Sequence, residues 1–467
     1  MTEARPLAAD KTEDSNEKEA EDILVTGSLW KAIWTMSWPL LLTTTSSSLV
    51  GLVDVQISRK LGSAAQAAVG VSEQILFMFM VFLMALGVGT TALVSRAAGA
   101  RDSEEVDRAT GQSLSLSIAT GVVLTLACLA VSGFVITRSG NAPDVAEAAQ
   151  KYLNIYAFML IPVSLNVIIN SAFRAIGRAK APLVVILTST MVTIVGDYLT
   201  VIKNWPVPGL GLRGIAASGV VGSCVAVTVA LYLVLKSPLR SSLKWMFPFS
   251  KSYSLRILRV GIPSALNRLS WSLSVFVLFA ILRHCDNATC ALASWTIGMR
   301  VEALIFMPLL ALSLAVSSIV GQNLGAKKTD RAVKAGWQVT FIGIGMMLVL
   351  GSGLYFGADF LAHTMSQDPV TIDFTRSYLR VNALAEPFLA LAMVLSGALQ
   401  GAGDTRTPMW ITIFTNWIVR LPVAWALAIT LHLGPVGAWM AMATSICMNG
   451  TLTTIWYRSK RWIKTTV

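Results

Sequence analysis

Ala172 to Pro182 reads AFRAIGRAKAP and Ala398 to Pro408 reads ALQGAGDTRTP, the same Ala, Gly and Pro spacing written twice, 226 residues apart. The same 226-residue offset carries Gly99-Ala100-Arg101, in LVSRAAGAR, onto Gly325-Ala326-Lys327, in IVGQNLGAK. Solenoid repeats run to about 20 to 50 residues. Two unrelated motifs in one register, offset by nearly half of a 467-residue chain, instead mark a duplicated multi-helix unit. In a membrane protein, two related halves place a substrate path between them.

Composition makes this a membrane protein: 13% of residues are charged, 54% are hydrophobic, and mean hydropathy is +0.65. Soluble domains carry about 25% charged residues, so polar groups cannot cover a chain this apolar, and lipid must. A spanning helix needs roughly 20 mostly apolar residues. Twelve such stretches occur near 33–57, 66–94, 112–136, 152–173, 182–202, 214–235, 258–282, 291–319, 336–357, 378–400, 408–431 and 434–456. The expected fold is all-α: a polytopic membrane protein of twelve transmembrane helices in two pseudo-symmetric six-helix bundles, 29–236 and 257–457. A basic linker (237–256) joins them, an acidic tail (1–28) expected to be disordered precedes them, and a basic tail (458–467) follows.

The net charge of +12 sits in alternate loops. Lys and Arg concentrate after the even-numbered spans and in RSKRWIK (Arg458 to Lys464), which by the positive-inside rule puts both termini and the linker in the cytoplasm. A nucleic-acid face would be a contiguous stripe, so the expected partners are small organic molecules and the lipid bilayer, with no nucleic acid. A multi-pass monomer in the plasma membrane is expected. The N-terminal residues lack the apolar h-region of a secretory signal.

Catalytic sets are missing. No GxxxxGK[ST] loop cradles a nucleotide, and the three His (His284, His363, His432) lie in or near outward loops, so no metal site, cofactor or enzyme activity is expected. Five Cys are too few and scattered for a disulfide framework. Cys285 and Cys290, in RHCDNATC, are either bonded or two free thiols, and Asn287 heads a glycosylation sequon of weight only in a secretory route.

Ionisable residues inside the membrane therefore carry most of the information, because an Asp at a helix centre costs about 2.5 to 3.5 kcal/mol on insertion scales. In the first half they are all acids: Asp54 on span 1, Glu73 on span 2 and Asp197 on span 5. Asp54 precedes Arg59, and Asp197 precedes Lys203, by distances that put both carboxylates roughly 8 to 9 Å inside the outer boundary. Burial without a fixed counter-ion suits such groups to take up protons; the alternative is an interfacial pair with Arg59 or Lys203. In the second half the charges are mixed, Arg268, Arg300, Glu302, Glu386 and Arg420. Mixed signs suggest a structural network of Arg268, Arg300, Glu302 and Arg420, with Glu386, beside Pro387, as a possible substrate contact. Pro39 in SWPLLL is a candidate hinge. Asn166 and Asn170, with the Ser and Thr clusters, suit a wet cavity, and Trp271 and Met393 suit its adaptable apolar wall.

At this point the chain resembles the multidrug and toxic compound extrusion (MATE) family, from about Leu29 to Tyr457. The resemblance rests on GLVDVQISRKLGSAAQAAVG (Gly51 to Gly70), VEALIFMPLLALSLAVSSIVGQNLGA (Val301 to Ala326), SGALQGAGDTRTPM (Ser396 to Met409) and VRLPVAWAL (Val419 to Leu427). It implies two six-helix bundles and exchange of H+ or Na+ for organic, often cationic, compounds. Asp54 and Asp197 resemble the coupling Asp pair of the DinF-like, proton-coupled branch. Thr193 stands where that branch has Asn, and the GAAxAT-like stretch of span 6 reads GIAASG (Gly214 to Gly219) without its Thr. The acids of sodium-coupled members are not matched in register, so either ion stays open. The expected function is export of amphipathic organic cations by antiport. The same fold exporting an organic acid or lipid-linked precursor is the alternative, and a passive channel or scaffold the remote one.

Overall fold

The computed structural model describes residues 23–138, 142–203 and 210–465; the side chains of 47–52, 54–55 and 58–59 lie outside that description. Among the described residues the chain runs through twelve helices. They are α1 (Leu29–Ser58), α2 (Ser63–Gly99), α3 (Ser103–Arg138), α4 (Pro143–Ala175), α5 (Lys180–Ile202), α6 (Gly211–Leu235), α7 (Lys251–Leu282), α8 (Ala288–Gly325), α9 (Thr329–Met365), α10 (Pro369–Ala383 and Glu386–Gly401, bent by 53°), α11 (Arg406–Thr430) and α12 (Gly434–Arg458). Nine are long and apolar enough to cross a membrane, or ten if bent α10 is one span, among the described residues. The contacts divide the chain into two compact units. One runs to Arg259 and takes in Gly321–Lys328; the other holds Val260–Val320 and the chain from Thr329 onward.

The duplicated motifs are duplicated helix ends. After α4, Gly177 (φ 92°) donates to Arg174 O (3.0 Å) and Arg178 N to Phe173 O (2.8 Å); after α10, Gly403 (φ 86°) donates to Gln400 O and Asp404 N to Leu399 O, both 2.9 Å. A left-handed residue closing two orphan carbonyls is the usual helix stop, and glycine takes that φ without a Cβ penalty. The second motif stops α2 and α8 in the same way, but with Arg101 (φ 58°) and Lys327 (φ 59°) in the left-handed position. Its glycines have another task. A Cβ on Gly99 would stand 1.9 Å from the Gln322 carbonyl oxygen, and one on Gly325 would stand 2.0 Å from that of Arg96. Arg96 and Gln322 are repeat mates, as are Gly99 and Gly325, so the two helix ends cross reciprocally within the first unit.

The segments flanking the spans are also packed. The tail assigned to 1–28 is already packed at its far end: Leu24 is fully buried and its carbonyl accepts from Asn323 Nδ2 (3.1 Å), while residues 1–22 lie outside the described residues. The basic C-terminus is folded, with Trp462 buried and stacked on Tyr457 at 4.7 Å. The linker contains a 3-10 helix, Pro238–Met246, fastened to α3. All five Cys are free thiols.

Candidate functional site

In the first unit the site is built from α4, α5 and α6. Gly214, Ser218 and Gly222 recur every fourth residue, hence on one face of α6. Their small size admits the polar face of α5. A Cβ at Gly214 would meet Thr200, one at Gly196 would meet Ser218, and one at Gly222 would stand 2.2 Å from Thr193 Oγ1. Small residues allow this close approach in lipid, and hydroxyls bridge it: Ser189 Oγ donates to Gly222 O at 3.2 Å. Asp197 lies one turn beyond Thr193 on the same helix and is fully buried. There α5 loosens from α-helix into the π-helical turn Tyr198–Ile202, a widening that recurs at functional positions. Asn166, on α4, completes the group by donating to Ser223 O at 3.3 Å, next to Gly222, with its own Oδ1 buried and unpartnered. The structure thus brings Asp197, Thr193 and Asn166 into one buried polar seam. Asn170 lies half-buried one turn further along α4.

A second polar group lies wholly inside the second unit. Gly298 on α8 leaves room for the Tyr378 ring of α10, since a Cβ there would stand 2.2 Å from a ring carbon. Trp295 (α8), Tyr378 and Trp439 (α12) form an aromatic triangle with centroids 6.0, 5.5 and 4.9 Å apart. Beside it the Tyr378 hydroxyl faces Glu302, and Arg420 and Glu386 lie within electrostatic reach. Arg420 is buried in the π-helical turn Phe414–Arg420, just before Pro422, and donates to Ser445 Oγ at 2.8 Å. Glu386 sits at the start of the second arm of α10, 3% exposed, with Oε2 unpartnered. Were both carboxyls ionised, they would carry one negative charge more than the single guanidinium balances, which a proton or a monovalent cation would neutralise. A groove of about 270 Å3 at the α10 bend, lined by Met347, Tyr355, Leu384 and Pro387, is apolar and holds neither carboxyl.

The remaining expected site residues fall elsewhere. Asp54 is on α1, but its side chain lies outside the described residues; Glu73 is half-buried on α2. Helix α1 continues as one helix through Pro39. The expected charge network is smaller than the sequence suggested: Glu302 and Arg420 interact, whereas Arg300 is exposed and Arg268 half-buried, neither with a carboxylate partner among the described residues. Residues two apart on a helix point to opposite sides, so Arg300 cannot share the environment of Glu302. Trp271 is 41% exposed, and Met393 is half-buried with its carbonyl accepting from Ser313 Oγ at 3.0 Å. Tyr378, Trp439 and Gly298 were missed. Gly298, just ahead of VEAL, was the available signal. Among the described residues no three His, Cys, Asp or Glu converge as metal ligands.

A family model described as MatE matches the chain twice, at 39–199 and 263–426. The chain belongs to the MatE family. It is therefore a multi-span membrane transporter and not an enzyme, and the double match coincides with the duplicated helix ends. Among its relatives, a probable multidrug resistance protein NorM from Thermotoga maritima is 28% identical over 423 residues, 90% of each chain. A probable multidrug resistance protein NorM from Acinetobacter baylyi is 27% identical over 424 residues, 89% of this chain and 93% of that one. A solved outward-facing conformation of a multidrug resistance MATE family transporter of the MOP superfamily shares the fold, with TM-score 0.88 and 24% identity, over 95% of this chain and 98% of that one. So does a MOP superfamily transporter from Pyrococcus furiosus, with TM-score 0.86, 24% identity and the same coverage. For this MatE transporter, the twelve helices supply a scaffold on which intramembrane carboxyls are the chemically distinctive groups.

Proposed function

We propose that this transporter exports organic, amphipathic cations across the plasma membrane by antiport against H+, with Na+ as the alternative coupling ion and both termini in the cytoplasm. The observation that carries the reading is the fully buried Asp197, set in the seam with Thr193 and Asn166. A carboxyl there is costly as an anion in hydrocarbon, and either a proton or a cationic cargo relieves that cost, but not both together. Competition for one charge is the coupling. Each elementary charge moved inward down the potential releases about 2.3 kcal/mol per 100 mV. Glu302 and Glu386, which if both ionised would carry one charge more than Arg420 balances, support a second place for a coupling ion. The relatives described as multidrug resistance proteins support the efflux direction.

The test uses proteoliposomes with an imposed pH or Na+ gradient and a fluorescent organic cation. Wild type is expected to export under the pH gradient, and Asp197→Asn to lose gradient-driven export while still folding. Wild-type rates in Asp197→Asn would refute the assignment. A second reading, export of an organic acid, draws on Arg268, a half-buried guanidinium on α7 with no carboxylate partner among the described residues. Efflux of a carboxylate dye that Arg268→Gln abolishes would favour it.

A further inference from the structure

The segment between α6 and α7 is held too firmly for a tether. Its 3-10 helix buries Leu239 and Ser242, a spacing of three that matches the three-residue turn, and Gly111 of α3 leaves the space that Ser242 fills. The Gln112 amide grips the segment three times: Nε2 donates to Trp245 O (2.6 Å) and Pro248 O (2.9 Å), and Oε1 accepts from Ser250 N (2.7 Å). Ser115 Oγ donates to Met246 O, and the Arg108 guanidinium covers the Trp245 ring at 4.3 Å. Held this way, the outer faces cannot tuck in. They carry Arg240 and Lys244, followed by Phe247, 75% exposed, and Phe249, 52% exposed. Two rigidly presented phenyl rings in water would be anomalous for a segment so well fastened.

The flanks locate this face. Tyr232 and Leu235, in the last turns of α6, and Leu255, early in α7, are all exposed apolar side chains. The segment therefore lies where hydrocarbon gives way to headgroups, the level at which aromatic rings and basic side chains anchor membrane proteins. The charge there is positive. Arg240 and Lys251 have no carboxylate partner among the described residues, Lys244 lies within electrostatic reach of Asp107, and Lys236 lies over the Tyr232 ring at 4.7 Å. The nearby acids are already used: Glu104 pairs with Arg108 at 2.6 Å, and Glu105 with Arg256 at 2.9 Å and with the Tyr253 hydroxyl.

We propose that this linker face binds anionic phospholipid headgroups of the adjoining leaflet, which is the cytoplasmic one on the topology proposed above. Arg240, Lys244 and Lys251 would hold the phosphates, while Phe247 and Phe249 sit among the upper acyl carbons. A basic cluster just beyond a membrane span is the pattern that recognises such lipids, and here a preformed backbone presents it.

The test is lipid retention, read by native mass spectrometry of the full-length transporter equilibrated with equal parts phosphatidylglycerol and phosphatidylcholine. Wild type should keep phosphatidylglycerol in preference. Arg240→Gln, Lys244→Gln and Lys251→Gln together should abolish the preference, by about fivefold for each charge removed. The tail variant Arg458→Gln, Lys460→Gln and Arg461→Gln should preserve it. Phe247→Ser with Phe249→Ser should weaken retention of both lipids. An undiminished preference in the linker variant would overturn the proposal, as would displacement of the lipid by millimolar inorganic phosphate, which would make this a soluble-anion site. Retention does not read ion coupling, so loss of coupling in Asp197→Asn leaves this result independent.

Discussion

Substituting Gly99 by Ala tests the reciprocal crossing of α2 and α8 at backbone level. The new Cβ would stand 1.9 Å from the Gln322 carbonyl oxygen, against the 3.0 Å below which real Cβ atoms essentially never come. The two helix ends must therefore part by more than 1 Å, and no side-chain rotation offers relief because the obstacle is backbone. Overpacking of this kind costs about 1 to 3 kcal/mol and occasionally more, a sizeable share of a total stability of about 5 to 15 kcal/mol. Gly325→Ala should cost about the same, since its Cβ would stand 2.0 Å from the Arg96 oxygen. The decisive variant is the double one. Once the first methyl has separated the two backbones, the second enters space already opened, so the combined loss should fall short of the sum, as it does for sites sharing one backbone shift. Reversible unfolding in mixed micelles, followed by tryptophan fluorescence, measures all three against Gly345→Ala, where nothing lies within 4 Å. That control should be neutral, or stabilised by up to about 0.5 to 1 kcal/mol. Strict additivity, or a Gly99→Ala midpoint equal to wild type, would refute the crossing.

Other outcomes are open to direct measurement. Gly298→Ala should displace the Tyr378 ring, 2.2 Å from the added Cβ, and cut transport; adding Tyr378→Ala should recover stability but not transport, checked by unfolding and by vesicle efflux. Arg420→Met should destabilise by about 3 to 5 kcal/mol, because it strands buried carboxyl charge, and a companion Glu302→Gln should recover much of that loss. Asp404→Ala removes a carboxylate that accepts from Thr407 N (3.2 Å) and Trp456 Nε1 (2.8 Å). It should cost about 1 to 3 kcal/mol and red-shift tryptophan emission, and unchanged emission would count against that contact. Gln112→Ala should expose the linker to proteolysis near Phe247 and Phe249 at temperatures where wild type resists.

Much of the fold could be read before any coordinates, and the reasons are particular. Spans of about twenty apolar residues are a one-dimensional signal, set by bilayer thickness. Gly177 and Gly403 announce helix ends because only a glycine meets that φ at no cost, so the duplication is written in local chemistry. Of the candidate site, Thr193 and Asp197 were legible as neighbours on one helix, four residues apart. Their partners were not: Asn166 meets α6 through Ser223, and nothing local to either residue announces that contact.

The sequence by itself determined that the chain lies in lipid, roughly where its spans fall, and that it was built twice, since each of these follows from composition, from hydropathy or from spacing along one strand of text. Only the tertiary structure decided which buried charges share an environment. It drew Glu302, Glu386, Tyr378 and Arg420 together, left Arg268 and Arg300 outside, and fastened the linker to α3 through Gln112. Side-chain direction around a helix, and the small residues that let another helix approach, settle those contacts, and both depend on the partner surface as much as on the residue itself.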